Sequence, residues 1–317
     1  MKKVSVVLLT YNHEKFIAQT IEGIVAQKVN FDFELVIGED FSKDNTRTIC
    51  EQYANKYPEI INLLPSDKNH GPNPNEVRTL RACSGKYIAI CEGDDYWTDM
   101  HKLQKQADFL DANEDFTMCF SDVEVIDETG VNNANCYPPL SKDVFTIEDI
   151  ITAGYCIVPT ATLFFRNILP DPLPQFYHNA LGSDVALHLL LTDKGKAKYL
   201  KEKTAVYRHH FGGLTKTEEN IRKRDEGEII MYELADKYFN YKYTDVFKKQ
   251  LFRLSKMMLI YGAKNKKGTE RIKHYFKRMP NYIKYSNGIN LKELLYYHTV
   301  LFFPSLLKLF RKPAQAK

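Results

Sequence analysis

The chain has 317 residues, 44% hydrophobic and 26% charged, with a formal net charge of +4. That is the make-up of an ordinary folded protein; it excludes a disordered chain and gives no reason to expect a nucleic-acid partner. The length exceeds one usual core, so a large α/β unit with a smaller appendage is expected. Six cysteines (Cys50, Cys83, Cys91, Cys119, Cys136, Cys156) show no Cys-x-x-Cys spacing and are read as reduced core residues.

Met1-Lys2-Lys3 followed by Val4 to Leu9 superficially resembles a secretion signal, but the apolar run is too short before Tyr11-Asn12-His13-Glu14. A cytoplasmic enzyme whose first strand begins at once is expected. The same run, β-branched and uninterrupted, predicts a strand buried on both faces of a parallel sheet. Phe16, Ile17, Thr20, Ile21, Ile24 and Val25 then recur at helical spacing, and Phe33 to Gly38 gives a second strand. The alternation continues with a helix near 44–56, a strand at 60–64, a helix near 75–82 and a strand at 87–91. Such alternation predicts an open, doubly wound α/β sheet whose sites lie at strand C-terminal ends.

Those ends carry Thr10-Tyr11-Asn12, Glu39-Asp40-Phe41-Ser42 and Glu92-Gly93-Asp94-Asp95. Each loop alone could simply turn the chain or cap a helix. Together they place carboxylates at one crevice, and carboxylates so close need basic side chains or a hard divalent ion. After Asp122 the regular alternation fades through a Pro- and Asn-containing stretch at 132–139, and the region to about 215 is expected to shape an acceptor pocket. From about 216 the composition turns helical and basic.

At five places in order the chain resembles the family 2 glycosyltransferases, inverting enzymes of the GT-A fold that use nucleotide-activated sugars. They are Val4 to Asn12, Glu39 to Thr46, Glu92 to Trp97, Gly182-Ser183-Asp184, and Val206 to Gly213. The resemblance implies a GT-A fold: a Rossmann-like, mostly parallel central sheet flanked by helices over residues 1–215, with a nucleotide-sugar half (1–122) and an acceptor half (123–215). A helical C-terminal extension would cover 216–317.

The resemblance also implies roles. Thr10, Tyr11 and Asn12 would border the nucleotide, and Asp40, beside Glu39, would accept the N3–H of uracil. Glu39 and Phe41 depart from the family's usual aspartate and small residue. Glu92-Gly93-Asp94 stands where the family has Asp-x-Asp, so Asp94 would hold Mn²⁺ or Mg²⁺ at the diphosphate, with Glu92 acting through water or on the ribose. Asp95 would reach the acceptor or cap the next helix; Trp97 would wall an acceptor sugar or anchor the core. Asp184, at the start of an amphipathic helix, would be the general base that inversion requires. Arg208 would meet phosphate and His210 would stand near the metal; apart from the resemblance, Arg78 and Arg81, on the helix before the metal-site strand, are further phosphate candidates by position.

The segment 291–312 is the most hydrophobic part of the tail, but its uncharged core is short of a bilayer span and Pro304 interrupts it. It reads either as an interfacial segment at the cytoplasmic membrane surface or as a helix packed on the catalytic unit. The function expected is transfer of a sugar from a UDP-sugar to a hydroxyl of a glycan or lipid-linked acceptor, in surface-polysaccharide synthesis. The alternatives are a non-catalytic nucleotide-sugar or glycan-binding subunit and a nucleotidyltransferase. The loop after the first strand lacks the glycine-rich basic character of the last class.

Overall fold

The computed structural model describes residues 2–127, 129–131, 137, 140–154, 157–179, 184–210, 218–265 and 268–286. It divides into two compact units, Met1–Arg224 and Asp225–Lys317. Gly182, Ser183, the segment 211–217 and the apolar tail segment 291–312 lie outside the described residues.

In the first unit, β1 (Val4–Thr10), α1 (Ile17–Val25), β2 (Phe33–Glu39), α2 (Thr46–Lys56), β3 (Ile61–Leu63), α3 (Pro72–Arg81) and β4 (Tyr87–Glu92) alternate as the sequence predicts. β1 pairs in parallel with both β2 and β4, and β2 with β3. Val4, Val6, Val7, Leu8, Leu35, Val36 and Ile37 are fully buried, which is why these runs are apolar on both faces. The register sets Thr10 opposite Glu39 and Leu9 opposite Glu92. Three strand ends therefore finish at one level, and the polar loops after them meet there.

The second half comprises β5 (Tyr96–Trp97), α4 (Lys102–Ala112), β6 (Phe116–Asp127), β7 (Val144–Phe145), α5 (Ile147–Ala153), a tight turn of helix at Thr160–Thr162, β8 (Phe164–Arg166), α6 (Gln175–His178), α7 (Asp184–Thr192) and β9 (Lys196–His209). The sheet order is β3-β2-β1-β4-β8-β6-β9-β5, with β7 also on β9; β8, β5 and β7 run antiparallel to their neighbours. The boundary expected at Asp122 falls inside a strand. β6 continues to Asp127 and pairs in parallel with β9 as far as Asp127 opposite His209. Register shifts near Phe116, Ser121 and Asp122 break the alternation that would have revealed it.

The second unit holds α9 (Thr244–Asn265) and α10 (Gly268–Tyr285), and its boundary falls inside α8 (Glu218–Tyr238). Tyr232, Phe247 and Tyr282 form its buried aromatic centre, with the rings of Tyr232 and Phe247 5.8 Å apart. Among the described residues no helix is long and apolar enough to cross a membrane. Cys50, Cys83, Cys91 and Cys119 are unbridged, and Cys50, Cys91 and Cys119 are buried.

Candidate active site

The loops after β1, β2 and β4 are stitched together by their own polar groups. The Asp40 amide donates to the Thr10 carbonyl at 3.0 Å and the Gly93 amide to the Leu9 carbonyl at 2.8 Å. The Asn12 amide donates to Ser42 Oγ, and Asn12 Oδ1 accepts the Lys43 amide, both at 2.9 Å. Asn12 and Phe41 hold φ of 56° and 61°, the left-handed region that asparagine tolerates and a bulky residue rarely adopts. The consequence is exposure: Phe41 is 49% exposed and Tyr11 38%, two aromatic rings on neighbouring loops at the sheet's C-terminal edge. Gly93 is required by closeness, since a Cβ there would lie 2.5 Å from Thr10 Oγ1 and 2.8 Å from His13 Nδ1.

Asp94 is the meeting point. Its Oδ2 lies 2.9 Å from His210 Nε2, just beyond β9, and 3.8 Å from His13 Nε2, just beyond β1. Thr10 Oγ1 stands 3.2 Å from His13 Nδ1 and helps orient that ring. Burial pushes the Asp94 carboxyl up, but the His210 hydrogen bond and the charge of His13 outweigh it and hold the carboxyl below its ordinary value. Burial lowers His13 despite the nearby Asp94 carboxylate.

Around this pair stand further acids. Glu92 is pushed well above the ordinary carboxylate range by burial first, and then by the charges of Asp95, Asp184, Asp94 and Glu76. Asp184, the first residue of α7, is raised by burial, against which the Thr160 hydroxyl at 3.4 Å from Oδ2 acts. Glu76, buried on α3, is pushed up to about 8 by burial and by the charge of Asp184. Five carboxyl groups thus share one region where most of them hold their protons unusually tightly. When ionised, such groups attract cations and accept a proton more readily than exposed carboxylates do.

Arg208 is the principal guanidinium here. Its Nη1 donates to the Asp94 carbonyl at 2.5 Å, its Nη2 to Gln19, and its plane stacks on Tyr96 (4.4 Å to the ring centre) and Phe16 (5.0 Å). The Arg208 amide donates to Asp95 Oδ1 at 2.9 Å, while Asp95 Oδ2 is buried without a hydrogen-bond partner. Burial, followed by the charge of Asp94, raises Asp95 well above the ordinary carboxylate range.

Several sequence expectations are corrected by this geometry. Asp40 is turned inward: Oδ1 accepts the His70 amide at 2.7 Å and Oδ2 the Gly71 amide at 2.9 Å, so the carboxylate anchors the loop before α3. Glu39 is fully buried and accepts the Ser42 amide at 2.6 Å, holding its own loop in place of a nucleotide. Arg78 donates to Asn75 Oδ1, the Pro65 carbonyl and the Glu39 carbonyl at 2.7 to 2.8 Å, which commits it to the loop and not to phosphate. Trp97 is 4% exposed, donates Nε1–H to the Ala161 carbonyl at 2.7 Å, and is covered by Lys102 Nζ at 4.2 Å from a ring centre; it is a core anchor and not an acceptor wall. Asp95 does not cap α4, which His101 precedes and whose entry Asp99 Oδ1 fixes by accepting the His101 amide. Conversely, sequence reading does not single out His13 or Glu76, which the fold delivers to the same crevice.

The fit to a divalent ion can be tested on distances. Ligands about 2.1 Å from an octahedral Mg²⁺ or Mn²⁺ stand about 3 Å apart at adjacent vertices. Asp94 Oδ2 and His210 Nε2, 2.9 Å apart, meet that spacing. Among the described residues no group of three or more His, Cys, Asp or Glu forms a preformed metal cage. A carboxylate and an imidazole therefore suit an ion whose other ligands come from phosphate and water.

Comparison with known proteins agrees with this geometry. The family model for glycosyl transferase family 2 matches residues 5–169. An uncharacterized protein of Mycobacterium tuberculosis is 36% identical over 210 residues, which are 66% of this chain and 60% of that protein. The chain thus spans less than two thirds of that relative's length. An uncharacterized glycosyltransferase of Nostoc sp. is 26% identical over 254 residues, 75% of this chain and 74% of its own. Among solved structures, Staphylococcus aureus TarS 1–349 in complex with UDP superposes with a TM-score of 0.55 at 18% identity, covering 98% of this chain and 93% of that one. The mixed, mostly parallel sheet with C-terminal helices is the GT-A architecture of such transferases.

Proposed function

We propose, proceeding from the fact that the chain belongs to glycosyl transferase family 2, that it is an inverting transferase moving a sugar from a nucleoside-diphosphate donor to an acceptor hydroxyl. The observation that carries this reading is the convergence of Asp94, His210, Arg208 and Asp184 at the ends of β4, β9 and α7. The base and ribose would lie against the loops after β1 and β2, bordered by Thr10, Tyr11 and Asn12, with the exposed rings of Tyr11 and Phe41 offering flat faces. UDP is the first nucleotide to test, because the similar TarS fold has been solved with it.

Asp94 and His210 would hold Mn²⁺ or Mg²⁺, which when bound neutralises charge on the leaving diphosphate. Arg208 lies beside Asp94 and would add a fixed positive charge to the same phosphate oxygens. Glu92, whose proton affinity is raised by burial, would act on the ribose hydroxyls or through water rather than bind the ion directly. Asp184 would accept the acceptor's O–H proton as that oxygen bonds to the anomeric carbon and the bond from that carbon to the phosphate oxygen breaks. Its raised proton affinity makes it a stronger base than an exposed aspartate.

The acceptor is a hydroxyl of a glycan or a lipid-linked glycan, with surface-polysaccharide synthesis as the setting suggested by the family. Release of UDP from a panel of UDP-sugars, with and without Mn²⁺, tests the reading. Metal-dependent release that is lost in Asp184→Asn supports it; nucleotide binding with no turnover on any donor and acceptor would favour a binding subunit.

A further inference from the structure

Charge is divided unevenly between the two units. Met1–Arg224 carries 25 Lys and Arg against 32 Asp and Glu, whereas Asp225–Lys317 carries 19 against 8, so formal charges of −7 and +11 are hidden inside the net +4. Part of that excess is organised on α10. Lys273, Phe276, Lys277, Pro280, Ile283 and Lys284 are all exposed. At 3.6 residues per turn they fall within an arc of roughly 120°. Within it the lysines form one ridge, and Phe276 and Ile283, two turns apart, form the adjoining edge. Arg278, Tyr282 and Tyr285 occupy the opposite, buried face.

Phe276 is 64% exposed and Ile283 45%, large apolar groups at the surface beside a row of lysines. Lys277 and Lys284 pair with Glu226 and Glu233 of α8 yet keep their side chains 57% and 60% exposed. These pairs engage the ammonium groups themselves, so the two glutamates offset part of the ridge's charge while the side chains stay at the surface, and the wider excess of cations in this unit supplies the rest of its positive field. On α9, Lys249, Arg253 and Met257 repeat the pattern of exposed cations beside an exposed apolar side chain. Nucleic acid would be met by the cations alone, whereas a bilayer interface takes up both the apolar edge and the lysine ridge.

We propose that the exposed stripe of α10 docks this protein on an anionic lipid surface. Phe276 and Ile283 enter the boundary between headgroups and acyl chains, and the lysines lie at the level of the phosphates. The proposal is independent of the catalytic reading: it concerns the second unit, and its test reads no activity. It would place an enzyme of this family beside lipid-linked acceptors.

The test is flotation of the full chain with vesicles of mixed phosphatidylglycerol and phosphatidylcholine, and with vesicles of phosphatidylcholine alone. The mixed vesicles are expected to bind at least about tenfold more protein, with binding falling as salt is raised. Phe276→Ser combined with Ile283→Ser is expected to reduce binding about tenfold with an unchanged circular dichroism spectrum and Tm. Lys273→Glu, a single exposed charge change, should reduce it in the same direction and serves if the double variant misfolds. Equal binding to both vesicle types, no binding, binding that both variants leave intact, or displacement of the protein from vesicles by single-stranded DNA would overturn the proposal.

Discussion

His210 Nε2 stands 2.9 Å from Asp94 Oδ2, joining residues 116 positions apart in sequence at the open end of the sheet. The contact exists because β9 runs beside β6 and antiparallel to β5, which returns the chain to the loop after β4. If this pair holds a metal against a donor diphosphate, His210→Ala should weaken Mn²⁺-dependent UDP binding by about tenfold or more. His13→Ala, at the longer distance of 3.8 Å, should have the smaller effect. Fluorescence titration of both variants checks this; undiminished affinity in each would reduce the cluster to an internal ion pair.

Asp184→Asn keeps the shape of the side chain and removes the base. Turnover with a competent donor and acceptor should fall by about a hundredfold to ten-thousandfold, while the Kd for UDP changes little. A matching loss of nucleotide affinity would instead place Asp184 on the donor.

Glu76 gives a pH prediction with a definite sign. Its folded value of about 8 lies above the ordinary 4.5, so between those limits the folded chain holds a proton that the unfolded chain has released. Stability contributed by this group therefore falls as pH rises from 4.5 to 8, at a slope on the order of 1 kcal/mol per pH unit, and levels off above. Glu76→Gln should flatten that limb and raise Tm near pH 8 with little change near pH 4.5, as thermal melts across the range would show. An unchanged pH profile would mean that Glu76 is ionised in the folded protein.

The contrast between the two halves of the first unit explains what could be read in advance. β1, β2 and β4 were legible because strands covered on both faces are written as unbroken apolar runs, and their polar ends marked the crevice. β9 was legible only near Ala205–Tyr207, because Lys201, Glu202 and Lys203 are exposed in a row where the pairing with β6 skips register, and no alternation survives there. Asp94, Arg208, His210 and Asp184 came from motif positions and are brought together by the fold. Asp40 and Glu39 occupy motif positions too, and Arg78 the helix before β4, yet their side chains turn into the loop network, a choice set by nearby amides and carbonyls that no spacing reveals. His13 and Glu76 lay outside the motifs and carried no periodic signal.

Trp97 tests the correction from acceptor wall to core anchor. Trp97→Phe removes the hydrogen bond to the Ala161 carbonyl and part of a buried ring, and should lower stability by about 1–3 kcal/mol. The acceptor KM of the folded fraction should be unchanged. A raised KM with unaltered Tm would restore the acceptor role.

The central claim, that Asp94 and its imidazole partner form a metal-dependent nucleotide site, is tested most directly by calorimetric titration of UDP into the full chain with and without Mn²⁺, repeated on Asp94→Asn. The account predicts binding that requires Mn²⁺ in the unmodified protein and is lost in Asp94→Asn while the Tm stays within a few degrees. Equal UDP binding with and without the metal, or binding that Asp94→Asn leaves intact, would contradict it.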